Sequence, residues 1–298
     1  MPFPHGFLNH KYKKEVQLMK NDRITLQVPY EKARLAAPEK LPTLEPVCIP
    51  HTDEIQGKVR PAVVICPGGG YDFCSERESV SVAMRFAGYG VQAFVLRYTC
   101  RHPFPTSLLE LAAAVSHVRS RAAEYEIDPE RIAVLGFSAG AHLAASLAVY
   151  WNTPLLSDVL GDNAAFRPNA QILCYPVISA GQYAHRGSIV NLVGEQDGNA
   201  YDNPRADAVS LEKQVTTDTP PCFLWHTSDD DCVPVQNSLL YLTALSAEQI
   251  PYEAHFYPHG AHGLSLADET TAMGDWHLNT TCASWFAACI AWIRRNYH

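Results

Sequence analysis

A serine between two glycines, in Gly136-Phe137-Ser138-Ala139-Gly140, stands where an apolar run, Arg131 to Leu135, gives way to the helix-favouring Ala141 to Ala148. In a G-x-S-x-G turn from strand to helix the glycines allow a sharp bend, and the serine is held strained with its Oγ exposed above the sheet. Ser138 is therefore the candidate nucleophile. A hydroxyl is a weak nucleophile near neutral pH, so this chemistry needs a histidine to take its proton and a carboxylate to fix the histidine's tautomer.

Both partners follow in the order that a doubly wound hydrolase sheet uses, serine, acid, histidine. After the apolar run Cys222 to His226 comes Thr227-Ser228-Asp229-Asp230-Asp231-Cys232-Val233-Pro234, with acids at the C-terminal end of a strand, where such sheets carry their sites. Asp230 is the chosen acid because it completes D-x-x-V followed by Pro; Asp229 and Asp231 are its rivals. After Tyr252 to Tyr257 comes Pro258-His259-Gly260-Ala261-His262-Gly263, and the glycine frame favours His262 over His259 as the base. A tetrahedral intermediate also needs donors for its oxyanion. Pro67-Gly68-Gly69-Gly70-Tyr71 follows the run Val63 to Cys66, so the amides near Gly69, Gly70 and Tyr71, with that of Ala139, are the expected donors. No G-x-x-x-x-G-K-[ST] or G-x-G-x-x-G pattern accompanies these glycines, which argues against a nucleotide loop.

Short apolar runs, Ala62–Cys66, Val91–Tyr98, Ile132–Phe137, Gln171–Tyr175, Cys222–His226 and Tyr252–Tyr257, predict strands. Helical spacing over Glu76–Ala87, Ser107–Tyr125, Ala139–Tyr150, Gln236–Ala247 and Cys282–Arg295 separates or follows them. Alternating β and α implies an α/β fold with a mostly parallel sheet and helices on both faces. Residues 15–28 alternate around Lys20-Asn21-Asp22-Arg23 and predict an antiparallel edge hairpin, followed by a proline-rich connection through Pro38, Pro42 and Pro46. The stretch 176–219 lacks a strong strand signal and reads as a small insertion over the active edge of a single domain spanning 1–298. Tyr71, His185 and Trp276 are candidate substrate contacts, with Tyr183 and Tyr201 in the same insertion as His185; Trp276 either walls a cleft or packs in the core. His142, four residues after Ser138, reads as a core histidine, and Glu76-Arg77-Glu78 as a charge network at a helix start.

Of 298 residues 47% are hydrophobic and 18% charged, an ordinary globular composition. A formal net charge of −8 without a basic tract opposes binding to nucleic acid or an anionic membrane, and no apolar stretch is long enough to span a bilayer. Nine cysteines without C-x-x-C spacing support neither a disulfide framework nor a zinc cluster. With no apolar signal core near Met1, the expectation is a cytoplasmic protein that needs no metal or organic cofactor.

Several stretches resemble the bacterial acetylesterase, acetylxylan-esterase-like branch of the α/β-hydrolases. They are Ile65 to Tyr71, Arg77-Glu78, Ile127 to Ile132, Gly136 to Leu143, Thr219-Pro220-Pro221, Asp229-Asp230-Asp231 with Val233-Pro234, and His259 to Gly263, together covering roughly residues 60 to 265. Tyr175 to Ser179 with His185 to Ser188 is similar to the same branch. Ala141 stands where the group commonly has glycine, and Pro67 where many lipases have histidine. The resemblance implies the α/β-hydrolase fold and hydrolysis of short acyl esters, acetyl in particular, of a small carbohydrate such as an acetylated xylo-oligosaccharide. A prolyl-oligopeptidase-type peptidase and an inactive hydrolase-fold binding protein are the alternatives.

Overall fold

The computed structural model describes residues 23–52, 54, 58–194 and 204–296. Its strands are β1 (Ile24–Thr25), β2 (Thr43–Val47), β3 (Arg60–Cys66), β4 (Gln92–Arg97), β5 (Ile127–Phe137), β6 (Ala170–Cys174), β7 (Cys222–Thr227) and β8 (Tyr252–Tyr257). They form one sheet in the order β1-β2-β4-β3-β5-β6-β7-β8. From β4 to β8 every neighbouring pair is parallel, while β2 pairs antiparallel with both β1 and β4. The described part of the antiparallel edge is Ile24–Thr25 paired with Thr43–Val47. Residues 15–22 of the hairpin expected over 15–28 lie outside the described residues. Thr43–Val47, expected as a connection, is a strand despite Pro46.

Successive side chains in a strand point to opposite faces, and both faces of this sheet are covered. Val63 and Ile65 of β3 pack with Val82 and Phe86 of α1 (Val80–Gly88), on the same side as Trp285 and Ile293 of the C-terminal helix Thr280–Asn296. Ala62, Val64 and Cys66 face the other way, toward α2 (Thr106–Ser120) and α3 (Ala139–Tyr150). Burial on both faces is why the parallel strands read as continuous apolar runs. Every residue of α3 from Ala139 to Val149 is buried, and its small side chains let it sit close on the sheet behind the serine.

Two elements differ from the expected bounds for local reasons. β5 begins at Ile127 instead of Ile132, because Asp128 to Arg131 loop outward in a break of register opposite Arg60 to Ala62. The helical pattern from Glu76 splits into a 3-10 turn, Glu76–Glu78, and α1. In the segment 176–219 the described residues form short helices, Arg186–Val193 and Pro204–Ala208, and a 3-10 turn, Leu211–Lys213. That segment leaves the sheet directly over the serine turn, where the Val177 amide donates to Ser138 O at 3.2 Å. No helix among the described residues is long and apolar enough to cross a membrane.

Candidate active site

The turn from β5 into α3 carries Ser138 at φ 54° and ψ −118°, a conformation that L-residues rarely adopt. Sterics explain the flanking glycines. A Cβ on Gly136 would overlap the Gly140 carbonyl, and one on Gly140 would overlap the carbonyls of Cys66 and Pro67. Ser138 also opens α3, so the positive end of that helix lies at its Oγ.

His262 Nε2 lies 2.8 Å from Ser138 Oγ, and His262 Nδ1 lies 2.7 Å from Asp230 Oδ2. The carboxylate accepts from Nδ1–H, which leaves Nε2 free to accept the serine proton. Asp230 takes further bonds: its Oδ1 accepts from the Cys232 and Val233 amides at 3.0 and 2.8 Å, and its Oδ2 from His226 Nε2 at 3.2 Å. Burial by itself would raise the Asp230 pKa, but the bonds from His226 and His262, with the attraction of a charged His262, hold it well below the usual carboxylate range. Asp230 is therefore held in its ionised form beside the His262 imidazole.

The structure thus draws Ser138, Asp230 and His262 into one hydrogen-bonded line and leaves the rival residues outside it. Asp229 Oδ2 meets His259 Nδ1 at 2.9 Å on the surface, and its Oδ1 accepts from the Gly260 amide at 2.9 Å. Those bonds fasten the loop that carries His262 without reaching the serine.

Gly69, Gly70 and Tyr71 all have positive φ, at 125°, 66° and 57°. Their carbonyls are taken up inside the fold: Gly69 O by the Asp72 amide, Gly70 O by Asn191 Nδ2 and Tyr71 O by the Arg101 amide. The amides of Gly69, Gly70, Tyr71 and Ala139 have no acceptor among the described residues. A loop with its carbonyls turned away and its amides unspent suits a developing oxyanion.

The Tyr71 side chain is 3% exposed, so what this residue offers the cleft is its backbone. Its hydroxyl meets His142 Nδ1 at 2.9 Å, and His142 Nε2 donates to Val209 O at 2.9 Å. Burial lowers the His142 pKa to about 4 against the opposing bond to Val209, so this core histidine is neutral near pH 7. His185 caps the helix Arg186–Val193, with Nδ1 2.8 Å from Ser188 Oγ, and its ring lies beside Gly70. Burial and the charge of His262 lower its pKa, and Asp230 opposes them. The Trp276 ring is 65% exposed and packs on Gly274 and His277. Tyr201 lies outside the described residues. His226, Glu78 and Tyr175, which the sequence did not single out for the site, all border it. The one local hint was a histidine, His226, at the end of an apolar strand four residues before Asp230. Among the described residues no group of three or more His, Cys, Asp and Glu side chains is arranged to hold a metal ion.

The sheet order and the serine turn at the end of its fifth strand define an α/β-hydrolase. Residues 49–245 match the model of the BD-FAE family, and the chain belongs to that family, among the α/β-hydrolase-type esterases. It is 38% identical over 234 residues to endo-1,4-beta-xylanase B of Butyrivibrio fibrisolvens, a match covering 74% of this chain and 34% of the relative. With an acetylxylan esterase of Xylanibacter ruminicola it shares 30% identity over 213 residues, covering 69% and 41%. The chain therefore spans well under half the length of these two relatives. Among solved structures, the acetyl ester-xyloside bifunctional hydrolase of Caldicellulosiruptor lactoaceticus superposes with a TM-score of 0.80 at 34% identity, covering 94% of this chain and 98% of the other.

Proposed function

We propose that this chain is a serine esterase that removes short acyl groups, acetyl above all, from carbohydrates such as acetylated xylo-oligosaccharides. The observation that carries the reading is His262, with one ring nitrogen 2.8 Å from Ser138 Oγ and the other 2.7 Å from Asp230. As His262 Nε2 takes the proton, Ser138 Oγ attacks the ester carbonyl. The oxyanion is met by amides of Gly69, Gly70 and Tyr71 and by that of Ala139. His262 then returns the proton to the departing alcohol, leaving an acyl-serine. Water, deprotonated by the same imidazole, releases the acid and restores the hydroxyl.

The choice of acyl group and alcohol draws on the relatives, whose names join acetyl esters to xylan and xylosides. His185, beside the Gly70 loop, and the exposed Trp276 are the side chains we assign to the sugar. All nine cysteines are unpaired, in keeping with a cytoplasmic setting. The test is acetate release by the purified chain from p-nitrophenyl acetate and from acetylated xylo-oligosaccharides, with Ser138→Ala as the control. Equal release by Ser138→Ala, or none by the parent from either ester, overturns the proposal.

A further inference from the structure

Neighbouring residues Arg77 and Glu78 grip both loops of the site from below. Arg77 donates from Nε to Thr271 O at 2.6 Å and from a terminal nitrogen to Gly263 O at 2.9 Å, the residue after His262. Its own carbonyl accepts from Ser265 Oγ at 2.9 Å. Glu78, 3% exposed, reaches the other loop: its Oε2 accepts from the Gly68 amide at 2.8 Å, at the root of Gly69 and Gly70. Glu76, in contrast, meets Arg97 at the surface, so only one of the two acids in this turn is a helix-start surface charge.

The second carboxylate oxygen of Glu78 leads to the histidine. Tyr175 Oη lies 2.6 Å from Glu78 Oε1 and accepts from the Ser265 amide at 2.9 Å, so the Tyr175 proton must point at Glu78. Both oxygens of Glu78 are then acceptors, which is the bonding of the ionised form. The Tyr175 ring meets the His262 ring edge-on with centroids 5.0 Å apart. Tyr175 has φ 38°, its amide is bonded to Trp225 O, and its ring packs against the rings of Phe137, Trp225 and His262.

We propose that Glu78 is a positioning residue for the reaction at Ser138: its buried carboxylate ties the glycine loop to the histidine loop and sets a second negative charge behind His262. This rests on the reading of Ser138 and His262 as nucleophile and base. In the transition state His262 becomes an imidazolium, and a fixed anion nearby favours that charge, the more so because Glu78 is buried. Burial raises the Glu78 pKa, while the bonds from Tyr175 and Gly68 and the attraction of a charged His262 and Arg77 oppose the rise. The other groups facing His262 are Asp230 with His226 behind it, His185 from the insertion, and the Arg77 guanidinium at Gly263 O. Glu78 and Asp230 are the two anions in this set.

Substituting Glu78→Gln keeps the size, removes the charge and replaces one of the two acceptor oxygens with a donor; Glu78→Asp keeps the charge; Tyr175→Phe leaves the carboxylate in place and cuts its link to Ser265. With p-nitrophenyl acetate across pH 5 to 9, Glu78→Gln should lower kcat about tenfold with KM nearly unchanged. Removing an anion makes protonation of His262 harder, so the acid limb of kcat/KM should move to lower pH by about half a unit. Glu78→Asp should restore the limb and part of kcat, and Tyr175→Phe, which breaks the link between the two loops, should lower kcat. An unmoved limb in Glu78→Gln, or Glu78→Asp no better than Glu78→Gln, overturns the proposal. If Glu78→Gln does not fold, Tyr175→Phe with unchanged kcat overturns it. Ser138→Ala, run alongside, separates the two levels: activity there sinks the underlying assignment, whereas a dead Ser138→Ala beside a normal Glu78→Gln sinks only the role of Glu78.

Discussion

His226 donates to the same Asp230 oxygen that His262 contacts, Nε2 to Oδ2 at 3.2 Å, from a fully buried position at the end of β7. Its Nε2 also faces Val233 O at 3.1 Å, and its Nδ1 accepts from Ser238 Oγ at 2.7 Å. The tautomer is therefore fixed from both sides, and Nε2–H is directed at the carboxylate. In the proposed mechanism one imidazole holds Asp230 still while the other moves a proton.

Removing that donor should weaken catalysis without abolishing it. We expect His226→Phe, which keeps bulk but loses the N–H, to lower kcat about tenfold while KM stays near the parent value. Steady-state kinetics on the folded variant check this, and an unchanged kcat would reduce His226 to a packing role.

The three adjacent acids should separate sharply. Asp230→Asn favours the wrong His262 tautomer and should cost up to about 10⁴ in kcat, while Asp229→Asn, at the exposed His259 pair, and Asp231→Asn should each stay within about threefold. Asp229→Asn as the dead variant would move the acid assignment and leave the nucleophile in place.

The serine turn, the glycine loop and the parallel strands were legible because each is a local necessity. The serine conformation demands Gly136 and Gly140, and burial on both faces demands runs such as Val63-Val64-Ile65. The Thr43–Val47 strand was hidden by Pro46, which signals a connection. Glu78 was misread for a different reason. Its partner Tyr175 is 97 residues away, and spacing carries no trace of a contact made across the sheet. Similarly, Tyr71 reads as a cleft aromatic beside glycines, and only the folded arrangement shows its hydroxyl spent on His142.

His142 makes a prediction about stability. Its folded pKa, about 4, lies below the ordinary histidine value of 6.5, so between these pH values the unfolded chain binds a proton that the folded chain refuses. Stability should therefore fall as pH drops from about 6.5 toward 4, by on the order of 2–3 kcal/mol at pH 4.5 from this group alone. His142→Gln removes the titration, so the loss between pH 7 and pH 4.5 should be smaller in the variant by that amount. Urea unfolding of both proteins at the two pH values measures it, and equal losses would refute the assignment.

Acyl length should be sharply graded, with acetyl preferred. The described parts next to Ser138 are tied down: the glycine loop is held through Asn191 and Arg101, His185 is tied to Ser188, and the Val177 amide is bonded to Ser138 O. A pocket with walls held this way gains only about 0.8 kcal/mol for each methylene it can bury, and overcrowding costs more once the space is full. We expect kcat/KM for one phenol to fall from acetyl through butyryl to octanoyl esters, with the loss mainly in kcat as the carbonyl is displaced from the amides. Acetate release from acetylated xylo-oligosaccharides should accompany the acetyl preference. An octanoyl ester cleaved faster than acetyl would place the substrate among lipids, and a prolyl anilide cleaved faster than any ester would place it among peptides.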